Sequence, residues 1–189
     1  MRSKIIVCVA LIFSVSALFG ADIGNLSYKV RNGGVIITNC LSTTAGELSI
    51  PPTIEDKPVT MIGENAFRSC TKLTAVVIPD TVTRIEDKAF YGCVELASLT
   101  VPDSVTSIGK YAFYGNKLTS VIIPNSVTTI DDSVFMNNKL TSVTIPNSVT
   151  TIGNYAFANN KLTSVEIPNY VKTIGKGAFM TNKLTSVTI

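Results

Sequence analysis

A repeat solenoid of short parallel strands is the fold class the sequence predicts, and three observations predict it. Hydrophobic-proline pairs at Ile78-Pro79, Val101-Pro102, Ile123-Pro124, Ile145-Pro146 and Ile167-Pro168 fall 23, 22, 22 and 22 residues apart, and Ile189 arrives where the next is due. A fixed period of this length marks stacked coils. Within one unit Val165 and Ile167 alternate with Ser164 and Glu166, which is strand spacing with one buried face. Pro168 then ends the ladder because it has no N–H to donate. One unit buries too little apolar surface to fold alone, so neighbours must share strand hydrogen bonds and a core.

In chain order, residues 1–21 read as a signal peptide: basic Arg2 and Lys4, an apolar run of 15 residues over 5–19, then the small residues Gly20 and Ala21. The run is short of the roughly 20 residues that span a bilayer, so no transmembrane span is expected in the mature chain. Removing Arg2 and Lys4 with this segment leaves 14 Lys+Arg against 13 Asp+Glu. That balance gives no argument for nucleic-acid binding. Charge is divided along the array, with seven basic and ten acidic residues over 22–109 and seven basic and three acidic over 110–189.

Residues 22–58 are expected to form an N-terminal cap and a degenerate first repeat. The sequence alternates on either side of Asn32-Gly33, and both residues tolerate positive φ, so a β-hairpin is predicted there. Its expected task is to cover the first coil, which would otherwise present a bare strand edge. Leu48 to Pro51 opens a repeat, and residues 53–58 are an insertion, because Pro51 and Pro79 are 28 residues apart. The regular array occupies residues 59–189. It stops in mid-strand at Ile189, so the array is expected to be truncated at its C-terminal end, or covered there by a partner or a second copy.

The repeat pattern Leu-x-x-Val-x-Ile-Pro-x-x-Val-x-x-Ile-Gly-x-x-Ala-Phe is carried by Leu162, Val165, Ile167, Val171, Ile174, Ala178 and Phe179, and residues 96–114 and 140–158 follow it closely. On these residues the array resembles the leucine-rich repeats of the BspA-like class. The later units depart from the class by replacing a cysteine with asparagine and losing one residue. The resemblance implies a right-handed leucine-rich-repeat coil, mostly β and loop, with a parallel β-sheet on its concave face. It also implies a secreted or cell-surface protein that attaches to host matrix proteins, host cells or other microbes.

Enzyme chemistry is not expected. The chain has no His and no Trp, which removes the commonest general base and metal ligand. Gly63, Gly109, Gly153 and Gly175 recur at the repeat period, and Gly109-Lys110 and Gly175-Lys176 lack the rest of a phosphate loop, so these are turn glycines. The carboxylate pairs Glu55-Asp56, Glu86-Asp87 and Asp131-Asp132 lack converging oxygens at a calcium spacing. No cofactor and no metal are predicted.

Binding must then come from columns of equivalent residues. The residue between the buried Val and Ile varies along the array as Val77, Thr100, Ile122, Thr144, Glu166 and Thr188, flanked mostly by serines. This nearly uncharged sheet face is the candidate partner-binding surface, suited to many weak contacts. Lys117, Lys139, Lys161 and Lys183 form a second column. Like charges one coil apart repel, so the column reads as a basic stripe for an acidic protein or sulfated glycan, or as a solvated edge that keeps a β-rich stack soluble.

A structural ladder is expected from Asn116, Asn138, Asn160 and Asn182, whose amides would hydrogen-bond the turn backbone and each other, and from Cys70 and Cys93 in the same position of earlier units. Coil spacing permits a Cys70–Cys93 bridge, while parallel side chains favour free thiols; both readings stand. The function expected is a non-catalytic adhesion module binding a protein or glycan ligand outside the cell. A self-assembling structural envelope protein, associating through the uncapped C-terminal end, is the alternative.

Overall fold

Alternating burial in each unit turns the chain back on itself once per repeat, so that residues 22 or 23 apart meet. The structure, a computed structural model, describes residues 23–189; the expected signal peptide lies outside them. A 3₁₀ turn, Ile23–Asn25, leads into fourteen short strands. These are β1 (Leu26–Arg31), β2 (Gly34–Cys40), β3 (Ala45–Ser49), β4 (Thr53–Ile54), β5 (Lys57–Ile62), β6 (Lys72–Val77), β7 (Arg84–Ile85), β8 (Ser98–Thr100), β9 (Ser107–Ile108), β10 (Thr129–Ile130), β11 (Thr151–Ile152), β12 (Ser164–Glu166), β13 (Thr173–Ile174) and β14 (Ser186–Thr188). They build a β-solenoid of about seven turns.

Each coil has two extended arms. The first arms pair in parallel as β3-β6-β8 and β12-β14, with a single bridge, Ile122 to Thr144, between these groups. The second arms pair as β2-β5-β7-β9 and β10-β11-β13, also in parallel, with β1 antiparallel on β2 and β4 antiparallel on β5. The second arm is thus a strand as well as an extended segment, which the sequence pattern did not distinguish. Its inward residues Ile62, Ile85, Ile108, Ile130 and Ile152 are all buried, one per coil. The turn between the arms is set by the proline carbonyl: Val82, Val105, Val127, Val149 and Val171 each donate N–H to the proline three residues before, at 3.0 Å.

At the N-terminal end, Asn32 (φ 51°) and Gly33 (φ 78°) make the two-residue turn between β1 and β2. Glu55 and Asp56, also at positive φ, turn β4 into β5.

The repeating turn glycines sit where successive coils approach closely. Gly175 is not at positive φ; a Cβ there would lie 2.5 Å from the Asn154 nitrogen and 2.6 Å from the Gly153 carbonyl carbon. Close approach of coils, and not conformational freedom, excludes a side chain. The left-handed positions come two residues later, at Lys88, Tyr111, Ser133 and Tyr155.

One core runs the length of the stack. Its axis is a column of six phenylalanines, Phe67, Phe90, Phe113, Phe135, Phe157 and Phe179, whose rings stack with centroids 4.7 to 5.5 Å apart and planes within 12° of parallel. The backbone enforces this: Phe67, Phe90, Phe113, Phe135 and Phe157 each donate N–H to the residue before the next phenylalanine. The core thins at the last coil, where Phe179 and Leu184 are half-buried and Ile174, Val187 and Ile189 are exposed.

Truncating a ring inside this column should cost more than truncating one at its end. Phe113→Ala is expected to lower unfolding free energy by about 3–5 kcal/mol, and Phe179→Ala by less, as read from urea unfolding curves.

Candidate binding faces

Strand register places the sheet-face residues side by side. Val77 pairs with Thr100, Ile122 with Thr144, and Glu166 with Thr188, and all six are exposed while the flanking Val76, Ile78, Val165 and Ile167 are buried. Two of the six are large and apolar: Val77 is 51% exposed and Ile122 is 77% exposed. Ser98, Ser120, Ser142, Ser164 and Ser186 lie exposed two residues before them.

The lysine column is held in line by backbone. Lys117, Lys139, Lys161 and Lys183 donate N–H to Leu96, Leu118, Leu140 and Leu162 of the preceding coil, each at 2.9 Å. Their side chains are exposed but not equivalent. Lys117 pairs with Glu95 at 2.6 Å, because Glu95 holds the same register one coil earlier. Sequence reading missed this acid: the extra residue Val94 separates it from Cys93, so it does not follow the cysteine as the lysines follow asparagine. Among the described residues, Lys139, Lys161 and Lys183 have no ion-pair partner.

The asparagines bond to backbone, not to one another. The Asn138 amide donates to Phe113 O (2.8 Å) and Phe135 O (3.2 Å), and its Oδ1 accepts the Leu118 N–H (3.1 Å). Asn160 does the same with Phe135 O, Phe157 O and Leu140 N–H, and Asn182 with Phe157 O, Phe179 O and Leu162 N–H. Each amide thus ties two coils together. An amide-to-amide contact does exist one residue earlier: Asn159 donates to Asn137, which donates to the Tyr114 hydroxyl, both at 2.7 Å.

Asn116 breaks the series. It is buried, and neither its Oδ1 nor its Nδ2 has a partner. The cause lies in the unit below. By analogy its Oδ1 should accept the Leu96 N–H, but in the longer cysteine-type unit that group bonds Cys93 O at 2.8 Å. Cys93 itself donates its thiol to Phe67 O at 2.9 Å, the role the later amides take, and burial pushes its thiol up to about 12. Cys40, Cys70 and Cys93 are all buried and free.

The turn carboxylates have structural partners. Asp87 Oδ1 accepts the Lys110 N–H and Asp132 Oδ1 the Asn154 N–H, both at 2.8 Å, and Lys110 Nζ pairs with Asp132 at 3.1 Å. The Asn154 N–H and then Lys110 hold the Asp132 carboxyl below the usual carboxylate range. Among the described residues no group of three His, Cys, Asp or Glu is placed to hold a metal ion, and no helix is long and apolar enough to cross a membrane.

Two parallel ladders per turn, an apolar axis and leucine at each coil define a leucine-rich-repeat solenoid. The chain belongs to the BspA-type leucine-rich repeat family, whose model matches six copies over residues 59–189. Among solved structures it is similar to the leucine-rich repeat protein of T. pallidum, at 30% identity and TM-score 0.81, covering 89% of this chain and 81% of that one. It is also similar to a leucine-rich cell surface protein of Faecalibacterium prausnitzii, at 30% identity and TM-score 0.67, covering 92% of this chain. A leucine-rich repeat protein of Bacteroides ovatus matches at 27% identity and TM-score 0.59 over 91% of this chain. The chain spans 55% of the Faecalibacterium protein and 41% of the Bacteroides one. No curated protein matches the sequence. Leucine-rich repeats of this bacterial kind are generally protein-interaction scaffolds without catalysis.

Two expectations follow from these ladders. Asn138→Ala strands the Leu118 N–H and should destabilise by about 1–3 kcal/mol, whereas Asn116→Val removes no hydrogen bond and should be neutral or stabilising in the same denaturation assay. The Asp132 pKa is depressed on folding, so its contribution is present at neutral pH and is lost as pH falls below the ordinary carboxylate range. Wild-type melting temperature should therefore fall more steeply between about pH 5 and 3 than that of Asp132→Asn, by a modest margin because the pair is solvent-screened.

Proposed function

We propose that this chain is a non-catalytic binding module that is exported and acts at the cell surface or beyond it, attaching to host matrix proteins, host cells or other microbes. The observation that carries the reading is the in-register exposed column of the first-arm sheet, in which Val77, Thr100, Ile122, Thr144, Glu166 and Thr188 stand one per coil. Such a column offers repeated weak contacts whose avidity grows with the number of coils engaged. Apolar Ile122 near its middle is the natural anchor. Beside it, Lys139, Lys161 and Lys183 stand about 4.8 Å apart per coil, well inside a Debye length of about 8 Å at physiological salt, so they act on an acidic ligand as one basic stripe. The β1-β2 hairpin serves as the cap of the first coil.

A second reading, a self-assembling structural protein of the envelope, is favoured by the low-charge first-arm sheet face, where Ser98, Ser120, Ser142, Ser164 and Ser186 lie exposed beside Thr100, Thr144 and Thr188.

The experiment is binding of the purified chain to arrays of matrix proteins and sulfated glycans at low and physiological salt, with sedimentation alongside. Salt-sensitive glycan binding lost in the Lys139→Ser, Lys161→Ser, Lys183→Ser triple variant assigns the stripe. Salt-insensitive protein binding lost in Ile122→Asp assigns the sheet face. Concentration-dependent assembly with no foreign ligand overturns the adhesion reading in favour of the structural one.

A further inference from the structure

Cys70 and Cys93 occupy equivalent positions of successive coils, where side chains run parallel and a disulfide's dihedral is hard to reach. Cys40 is different. It closes β2 in the degenerate first coil, 30 residues before Cys70, and so does not share the repeat register. Its thiol approaches from the end of a strand, donating to Thr44 Oγ1 at 3.2 Å, while the Cys70 thiol comes from a turn and reaches back to Cys40 O at 3.8 Å. The Cys70 sulfur therefore lies directly against Cys40, and both residues are buried. Cys93 is committed elsewhere, to Phe67 O.

We propose that Cys40 and Cys70 form a disulfide that staples the N-terminal hairpin to the first regular coil. The neighbouring Cys70 side chain, opposed by burial and helped by Thr44, lowers the Cys40 pKa, while Cys70 and the buried Cys93 are raised. Cys40 is therefore the attacking thiolate. It displaces one thiolate from a low-molecular-mass disulfide of the oxidised-glutathione class, leaving a mixed disulfide on Cys40. Cys70 then loses its proton and attacks the Cys40 sulfur, expelling the second thiolate. Two protein thiols are oxidised to one disulfide, and one small disulfide is reduced to two thiols. Both sulfurs are buried, so attack requires opening of the end coil, the part of a stack that opens most easily.

The cross-link closes a loop that contains β3, β4 and β5. It therefore acts on the junction between the hairpin and the array, where the regular repeat has not yet begun. Exported chains meet such oxidants; the test supplies one directly, so its outcome does not depend on the proposed adhesion or location.

The full chain is incubated with oxidised glutathione, and its mass and proteolytic peptides are compared before and after reduction. The expected result is loss of two hydrogens and a Cys40–Cys70 linked peptide, formed equally in Cys93→Ser and absent in Cys70→Ser. Oxidised chain should melt several degrees above reduced chain, and dithiothreitol should reverse the shift. A Cys70–Cys93 link, or Cys40 and Cys70 thiols that remain fully alkylatable on unfolding after oxidant treatment, would overturn the proposal.

Discussion

Everything in this molecule depends on a residue meeting its own counterpart one coil away. Backbone N–H groups of Phe67 through Phe157 find carbonyls on the next coil, those of Lys117 through Lys183 find carbonyls on the preceding one, and strand pairs such as Thr129 to Thr151 and Thr151 to Thr173 do the same on another side. The repeat length is therefore a physical requirement. A single inserted residue inside an arm would turn every later side chain to the wrong face. The inserted residues lie outside the repeated pattern of an arm: Val94 is in a turn, and residues 53–58 form β4, its turn and the start of β5.

The same constraint decides how polar groups are treated. A solenoid turn buries backbone that no helix or broad sheet satisfies, so side chains must complete it. Cysteine-type units do so with one extra residue, which lets Leu73 and Leu96 bond within their own turn. Asparagine-type units drop that residue and recruit the amide of the next coil. Each solution is complete in a run of its own kind. Asn116 sits where they abut, and its amide is orphaned there.

Much of this was legible in the chain. The spacing of Ile123-Pro124 and Ile145-Pro146 specified the coil, Val165 and Ile167 specified the buried face, and Asn32-Gly33 specified the hairpin, because each signal is local. What escaped depends on contacts between coils. Glu95 was invisible as the partner of Lys117 because Val94 displaces it from the motif. Gly175 was legible as a turn glycine, but the close backbone approach that excludes a Cβ there leaves no mark on a single unit. The left-handed positions at Tyr111 and Tyr155 carry no glycine to announce them. The exposure of Val77, Thr100, Ile122, Thr144, Glu166 and Thr188 followed from alternation alone; what binds them does not.

The phenylalanine column has a consequence for how such a chain changes length. Rings at Phe113, Phe135 and Phe157 are interchangeable, since each meets an identical neighbour above and below at nearly the same spacing. Deleting or duplicating one complete 22-residue asparagine unit leaves every ring, amide and lysine facing a partner of the same kind. Genetic gain or loss of whole units is therefore structurally silent within that half of the array, and reach toward a ligand can vary without refolding what remains. The cysteine-type coils have no such freedom, because their length and their contacts with the hairpin are tied to one place in the stack.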